Sequence, residues 1–194
     1  MINQKINLTD CLLNQLVELH RNELQENDLS VALGPVFIRG FYQELIHSPH
    51  GKIFVDIKDN NVRSLVCVFF DYTKFNQIYK KKFRFGLMLS CISKPYLIVP
   101  LIRQLVSSLC VSVSCHDSHL GMIIIDSSIP RTPELVKTFR RNVKKGFDCL
   151  KDYGHSRVWG STRCDNIPTI NFLNKLDFFK TKECLGIIYF EKEL

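Results

Sequence analysis

The stretch Gly121-Met-Ile-Ile-Ile-Asp-Ser-Ser-Ile-Pro-Arg-Thr-Pro-Glu-Leu135 decides how this chain is read. Gly121–Ile125 is an apolar run of strand type. After a short loop, Thr132, Pro133 and Glu134 spell a helix start: a capping hydroxyl, a proline where a missing N–H costs little, and an acidic first turn. Val136, Phe139, Val143, Phe147 and Leu150 then recur at helical spacing, and Lys137, Arg140, Arg141, Lys144 and Lys145 form a basic side. Gly154 ends the helix. A short strand follows over 155–162, then Asp165-Asn166, a short amphipathic helix through Phe172, and a last strand at Leu185–Phe190 whose edge is expected to be open.

Working outward, residues 1–9 can hold a short first strand around Lys5–Leu8, with Thr9 or Asp10 capping a helix. Leu12, Leu13, Leu16, Val17, Leu19, His20 and Leu24 give that helix an apolar face. Gly34-Pro35 opens a second helix with Phe37, Ile38, Phe41, Tyr42, Leu45 and Ile46 as its buried stripe, and Ser48-Pro-His-Gly51 ends it. Two β-rich runs, 52–57 and 62–70, flank an Asp-Asn-Asn turn and read as a hairpin. The second is almost wholly apolar, which predicts a central strand covered on both faces. Residues 72–109 exceed what a connection needs and read as a helical insertion broken at Ser93-Lys-Pro95. Cys110–Cys115 alternates Val and Ser as a half-buried strand does, and His116-Asp-Ser-His119 is turn-like.

A chain of 194 residues with 45% hydrophobic and 23% charged residues is long enough to bury a core. Its net charge of +7 favours an anionic partner. The charge alone does not indicate nucleic acid: the sequence carries no RRM, KH, OB or zinc signature, and its basic helix face lacks interleaved aromatics. Eight cysteines are scattered without a C-x-x-C pair, and Cys110, Cys115, His116 and His119 match no zinc spacing, so no metal is expected. Reduced thiols and a polar N-terminus fit the cytoplasm. The longest apolar stretch, 83–109, is interrupted by Lys94, Pro95, Pro100, Arg103 and Gln104, which excludes a span there. The basic cluster Lys80–Arg84 beside it suits an anionic membrane surface or a lipid-linked acceptor. The alternative is an insertion packed on the core with its lysines in solvent.

The order strand, helix, strand, Asn, short helix, last strand resembles the back half of a GNAT-type acetyltransferase. Two helices and a hairpin resemble the front half, carried by His20–Glu23, Leu33–Phe37, Phe41-Tyr42 and Ser48–Gly51. The resemblance implies one GNAT-like domain over 1–194, α+β, in three layers with a central mixed, twisted sheet and helices on both faces. It implies an acyl-CoA-dependent acyltransferase, with acetyl-CoA the expected donor. An amine or hydroxyl of a small molecule, an amino sugar or a lipid-linked sugar, would attack directly in a ternary complex. The strand Met122–Ile125 would pair with the pantetheine arm beside a splayed gap, so Ile123, Ile124, Ile125, Arg131, Thr132 and Asn166 are the cofactor-side residues. His20, Glu23, Phe41 and Tyr42 would wall the acceptor side, and Asp126, His119 and His116 are the candidate bases. Two family features are altered. No glycine lies between Gly121 and Gly146, so Glu134 and Val136 stand in the glycine positions of the R-x-x-G-x-G/A loop. The tyrosine that protonates the departing thiolate in many relatives is Leu173. These changes open a second reading, an inactive GNAT-fold protein that binds a ligand or partner. The open last strand could support a homodimer.

Overall fold

The computed structural model describes residues 10–24, 28–99, 101–102 and 118–194. The expected strand at Lys5–Leu8, the Thr9 cap, the Cys110–Cys115 strand, His116 and residues 103–109 of the insertion lie outside the described residues. Helix α1 spans Asp10–Glu23, α2 Leu29–Leu33 and α3 Pro35–His47. Strands β1 (Gly51–Lys58) and β2 (Asn61–Phe69) follow, then α4 (Tyr72–Ser93) and a single 3-10 turn at Pro95–Leu97. The last part runs β3 (His119–Ile125), α5 (Pro133–Asp152), β4 (Arg157–Arg163), α6 (Ile167–Lys175), β5 (Phe179–Cys184) and β6 (Ile187–Glu193). Among the described residues the sheet has six strands in the order β1-β2-β3-β4-β6-β5, mixed, with one parallel pair between β3 and β4.

The β1–β2 hairpin forms where the sequence places it. Asp59 and Asn60 both take positive φ, 50° and 61°, as a tight hairpin turn demands, and Asp and Asn tolerate that region better than most residues. β2 is central and covered on both sides. Leu65, Cys67 and Phe69 pack with Leu16 of α1, Tyr42 and Leu45 of α3 and Phe75 of α4. Val66, Val68 and Phe70 pack with Phe139, Val143 and Leu150 of α5 and with Leu173 and Phe190. Each such fully buried apolar side chain contributes about 1.5–3 kcal/mol relative to exposure. These are the three layers the resemblance implies.

The final strand is corrected. β6 does not lie at an edge: it pairs with β4 on one side and β5 on the other. Leu185 and Gly186, at φ 52° and 77°, form the tight turn that returns β5 into β6. The edge belongs to β5, whose Phe-Lys-Thr-Lys-Glu-Cys has no apolar alternation and is exposed over most of its length. α2 is also additional to the sequence reading; Asp28 caps it by accepting from Ser30 N at 2.9 Å.

α4 is one continuous helix laid against α3. Tyr79 Oη donates to the Phe37 carbonyl at 2.9 Å, Lys82 pairs with Glu44 at 3.0 Å, and the Phe83 ring lies against Gly40. A Cβ at Gly40 would come within 2.1 Å of that ring. Gly40→Ala is therefore expected to lower stability by about 1–3 kcal/mol through overpacking, measured as a lower urea midpoint at unchanged m.

Candidate functional site

β3 is held asymmetrically. On one side it pairs with β2 from His119 to Ile125; on the other its parallel ladder with β4 is recorded at His119↔Trp159, next to a bond from Trp159 N to Ser118 O of 3.0 Å. Past that point no further pair joins β3 to β4 among the described residues, and β4 continues against β6 to Arg163. The two strands diverge, and the β4-facing edge of Met122–Ile125 borders the gap. The register of β3 against β2 shifts between Cys67↔Met122 and Val68↔Leu120, which makes Gly121 the extra residue of a bulge. A Cβ there would meet the Phe69 ring at 2.2 Å, so only glycine fits. The sequence reading did not assign this bulge, although a lone glycine in an apolar β-run is a signal for one.

The loop after β3 is tied by side chains. Asp126 accepts from Ser128 N at 2.9 Å and Ser128 Oγ at 2.6 Å, forming the turn. Glu23, at the end of α1, accepts from both Ser127 N and Ser127 Oγ at 2.8 Å. Thr132 caps α5 by accepting from Leu135 N at 3.2 Å, with Pro133 in the first turn, as the sequence indicates. Arg131, Pro133, Val136, Lys137 and Arg140 line a surface groove at this end of α5. Glu134, which would repel an anion there, is engaged by Lys58 at 3.0 Å. That hydrogen bond, with the charges of Lys58 and Arg63, holds its carboxyl below the usual range. Asn166 caps α6 by accepting from Thr169 N at 3.2 Å, so its NH2 group is the part that would serve a ligand.

Leu173 is buried in the core beside Gly160, so the altered tyrosine position is a packing position here. Asp177, just after α6, takes φ 61°, the conformation glycine commonly supplies after a helix. His119 lies at the paired end of β3, stacked on Tyr72 with ring centroids 4.6 Å apart. Phe41 packs edge-on to Tyr42, Phe75 and Tyr79.

His20 and Tyr42 meet under β3. His20 Nδ1 lies 3.0 Å from Tyr42 Oη, His20 Nε2 lies 2.6 Å from Ser30 Oγ, and Ser30 Oγ donates to Asp28 Oδ1. Tyr42 Oη also sits 3.3 Å from Met122 Sδ, on the strand that borders the gap. Burial lowers the His20 pKa to about 4, opposed by the Asp28 charge, and burial raises that of Tyr42. The structure thus brings together His20, Tyr42, Glu23, Asp126 and Ile123–Ile125 around β3, with Arg131 and Thr132 at the α5 start.

No family model and no curated protein matches this sequence. Solved structures do match its fold. One titled SsHAT aligns with a TM-score of 0.62 at 17% identity, over 93% of this chain and 91% of that one. An aminoglycoside 6'-acetyltransferase type Ii aligns at 0.58 and 11% identity over 100% and 97%. The PaiA N-acetyltransferase from Thermoplasma acidophilum, solved with coenzyme A, aligns at 0.57 and 10% identity over 94% and 92%. The chain has the fold of these acetyltransferases.

Neutral burial of His20 sets a pH dependence. Its folded-state pKa lies below the unfolded value of 6.5, so the unfolded chain takes up the proton first. Stability is complete above pH 6.5 and falls by about 3 kcal/mol as pH drops toward 4. His20→Gln, neutral throughout, is expected to lack this component when denaturant midpoints are compared across the same pH range.

Proposed function

We propose that the protein is an acyl-CoA-dependent acyltransferase, with acetyl-CoA the donor and an amine or hydroxyl of a small molecule, in the amino-sugar class or lipid-linked, as acceptor. The observation that carries this reading is the gap between β3 and β4 beside the Gly121 bulge. An extended pantetheine chain needs backbone groups along one strand edge, and β3 presents such an edge past His119. Residues present fit the rest of the donor. Arg131, Lys137 and Arg140 line the groove where a diphosphate would lie, and Asn166 offers an amide NH2. Guanidinium and ammonium groups would here replace the backbone amides of a glycine loop, and Lys58 offsets Glu134. Bulge backbone amides would polarise a thioester carbonyl placed in the gap; the acceptor nitrogen or oxygen held in line would form the new acyl bond as the thioester C–S bond breaks, and its proton would pass through solvent to the departing coenzyme A thiolate.

The domain is read as one unit over 1–194 with the insertion at 72–109. Ile92, Tyr96, Val99 and Ile102 in that insertion are exposed and lie in sequence near Lys80–Lys82, which suits an anionic membrane surface for a lipid-linked acceptor. Among the described residues no helix is long and apolar enough to cross a membrane.

A second reading, a GNAT-fold module that binds without turnover, is favoured by the burial of Leu173 and by Pro133 in the first turn of α5. Calorimetric titration separates the two. Acetyl-CoA and free coenzyme A are expected to bind in the micromolar range, and Arg131→Ala or Arg140→Ala to weaken each about tenfold, the loss of one charge-assisted contact. Absence of heat at millimolar ligand removes the acyltransferase reading. Binding without thiol release, whatever amine is supplied, favours the module.

A further inference from the structure

Five cations share one side of α5. Lys137, Arg140, Arg141, Lys144 and Lys145 are all exposed, and among the described residues none of them forms an ion pair or a side-chain hydrogen bond. At about 100° per residue they fall within an arc of about 140°, opposite the buried Leu135, Phe139, Asn142, Val143, Gly146 and Leu150. Lys137 stands three or four residues from Arg140 and Arg141, Arg140 from Lys144, and Arg141 from Lys144 and Lys145. At those spacings like charges destabilise a helix. The stripe repels itself, and an anionic partner relieves that repulsion. Its surroundings narrow the partner. Lys137 and Arg140 also line the groove at the α5 start, so the stripe continues the donor site. No large apolar side chain of α5 is exposed, which leaves nothing to enter a bilayer. Phe139 is buried and Phe147 half-buried, so neither offers a platform for stacked bases. The helix start is also poor in donors for a diphosphate: Pro133 has no N–H, and Thr132 takes the Leu135 N–H at 3.2 Å. A single phosphodiester asks less of it.

We propose that the stripe docks an acidic carrier protein, and that an acyl group reaches the β3 gap on the carrier's phosphopantetheine arm. The inference rests on the acyltransferase reading and names a partner for it. Carboxylates of the carrier pair with Arg141, Lys144 and Lys145, the phosphodiester of the arm lies against Arg131 in the groove, and pantetheine follows the β3 edge as it would from coenzyme A. The acceptor nitrogen or oxygen forms the new acyl bond, the C–S bond of the arm breaks, and the acceptor's proton leaves on the carrier thiol. Nothing is oxidised or reduced. The gap is common to both donors, and the outer three cations belong to the carrier.

The test is binding by the full chain at about 0.1 M salt, where exposed charges act over about 10 Å. The probes are a labelled acyl carrier protein charged with acetyl-phosphopantetheine, the same carrier without its arm, and acetyl-CoA. The charged carrier is expected to bind, and more tightly than the armless one. Arg141→Glu, Lys144→Glu and Lys145→Glu together are expected to weaken it at least tenfold, while acetyl-CoA binds as before and the urea midpoint does not fall. The three matching glutamine changes are expected to act in the same direction and less strongly. A charged carrier that does not bind, or that binds the glutamate variant equally, overturns the proposal. So does an armless carrier that binds as tightly as the charged one, because the stripe is then unconnected with the gap. An equal fall in acetyl-CoA binding assigns the stripe to a phosphate of the free cofactor and overturns it as well. Tighter binding of phosphatidylglycerol vesicles or of a single-stranded oligonucleotide does the same. In all these cases acetyl-CoA binding leaves the acyltransferase reading standing. Carrier binding without acetyl-CoA binding puts the carrier in place of acetyl-CoA as donor. If neither binds, the acyltransferase reading fails together with the proposal.

Discussion

Burial of β2 on both faces is the constraint from which the site follows. Its alternate side chains reach two separate apolar clusters, one with α1, α3 and α4 and one with α5 and α6. Because β2 is fixed from above and below, β3 needs only one full ladder to stay in place. Its other edge is then free to part from β4 without loss of register. A sheet whose strands were held only by their neighbours could not tolerate such a break, since each unpaired backbone group would have to be made good elsewhere. Helices on both faces hold the strands in place here, and the backbone groups of the parted edge are left for solvent.

The same arrangement explains why the loop after β3 can dispense with glycine. Glycine permits close approach of backbone amides to a phosphate. In this chain the turn is instead shaped by Asp126 and Ser128 and braced by Glu23 from α1. Arg131, Lys137 and Arg140 place positive charge at the start of α5, and Lys58 pairs with Glu134. The turn and the helix start that follows it are thus shaped by side-chain contacts rather than by glycine.

Much of the fold was legible because its cues are local. The Asp59-Asn60 turn, the Thr132-Pro133 helix start and the apolar run at Ser64–Phe70 each follow from backbone preference or periodicity within a few residues. β5 was missed because an exposed polar edge strand has no apolar alternation to reveal it. The short α2 was missed because five residues carry no period. At the site, the strand of the gap could be placed from sequence, and the resemblance singled out both His20 and Tyr42, which the fold brings into contact. Their connection could not be read there, since it depends on Asp28 and Ser30 at the start of α2. A pair such as Glu23 and Ser127, far apart in the chain, is likewise visible only once the fold closes.

The thiol of Cys67 lies in the middle of β2, wholly buried, and that burial pushes its pKa well above the ordinary thiol range. An alkylating reagent reacts with thiolate, so this sulfur is silent while the sheet is intact. It becomes reactive only when the strand that both halves of the molecule share is exposed. The protein therefore carries its own clock for global opening at its structural centre: the rate at which Cys67 is alkylated reports how often the whole sheet comes apart, separately from fraying at its edges.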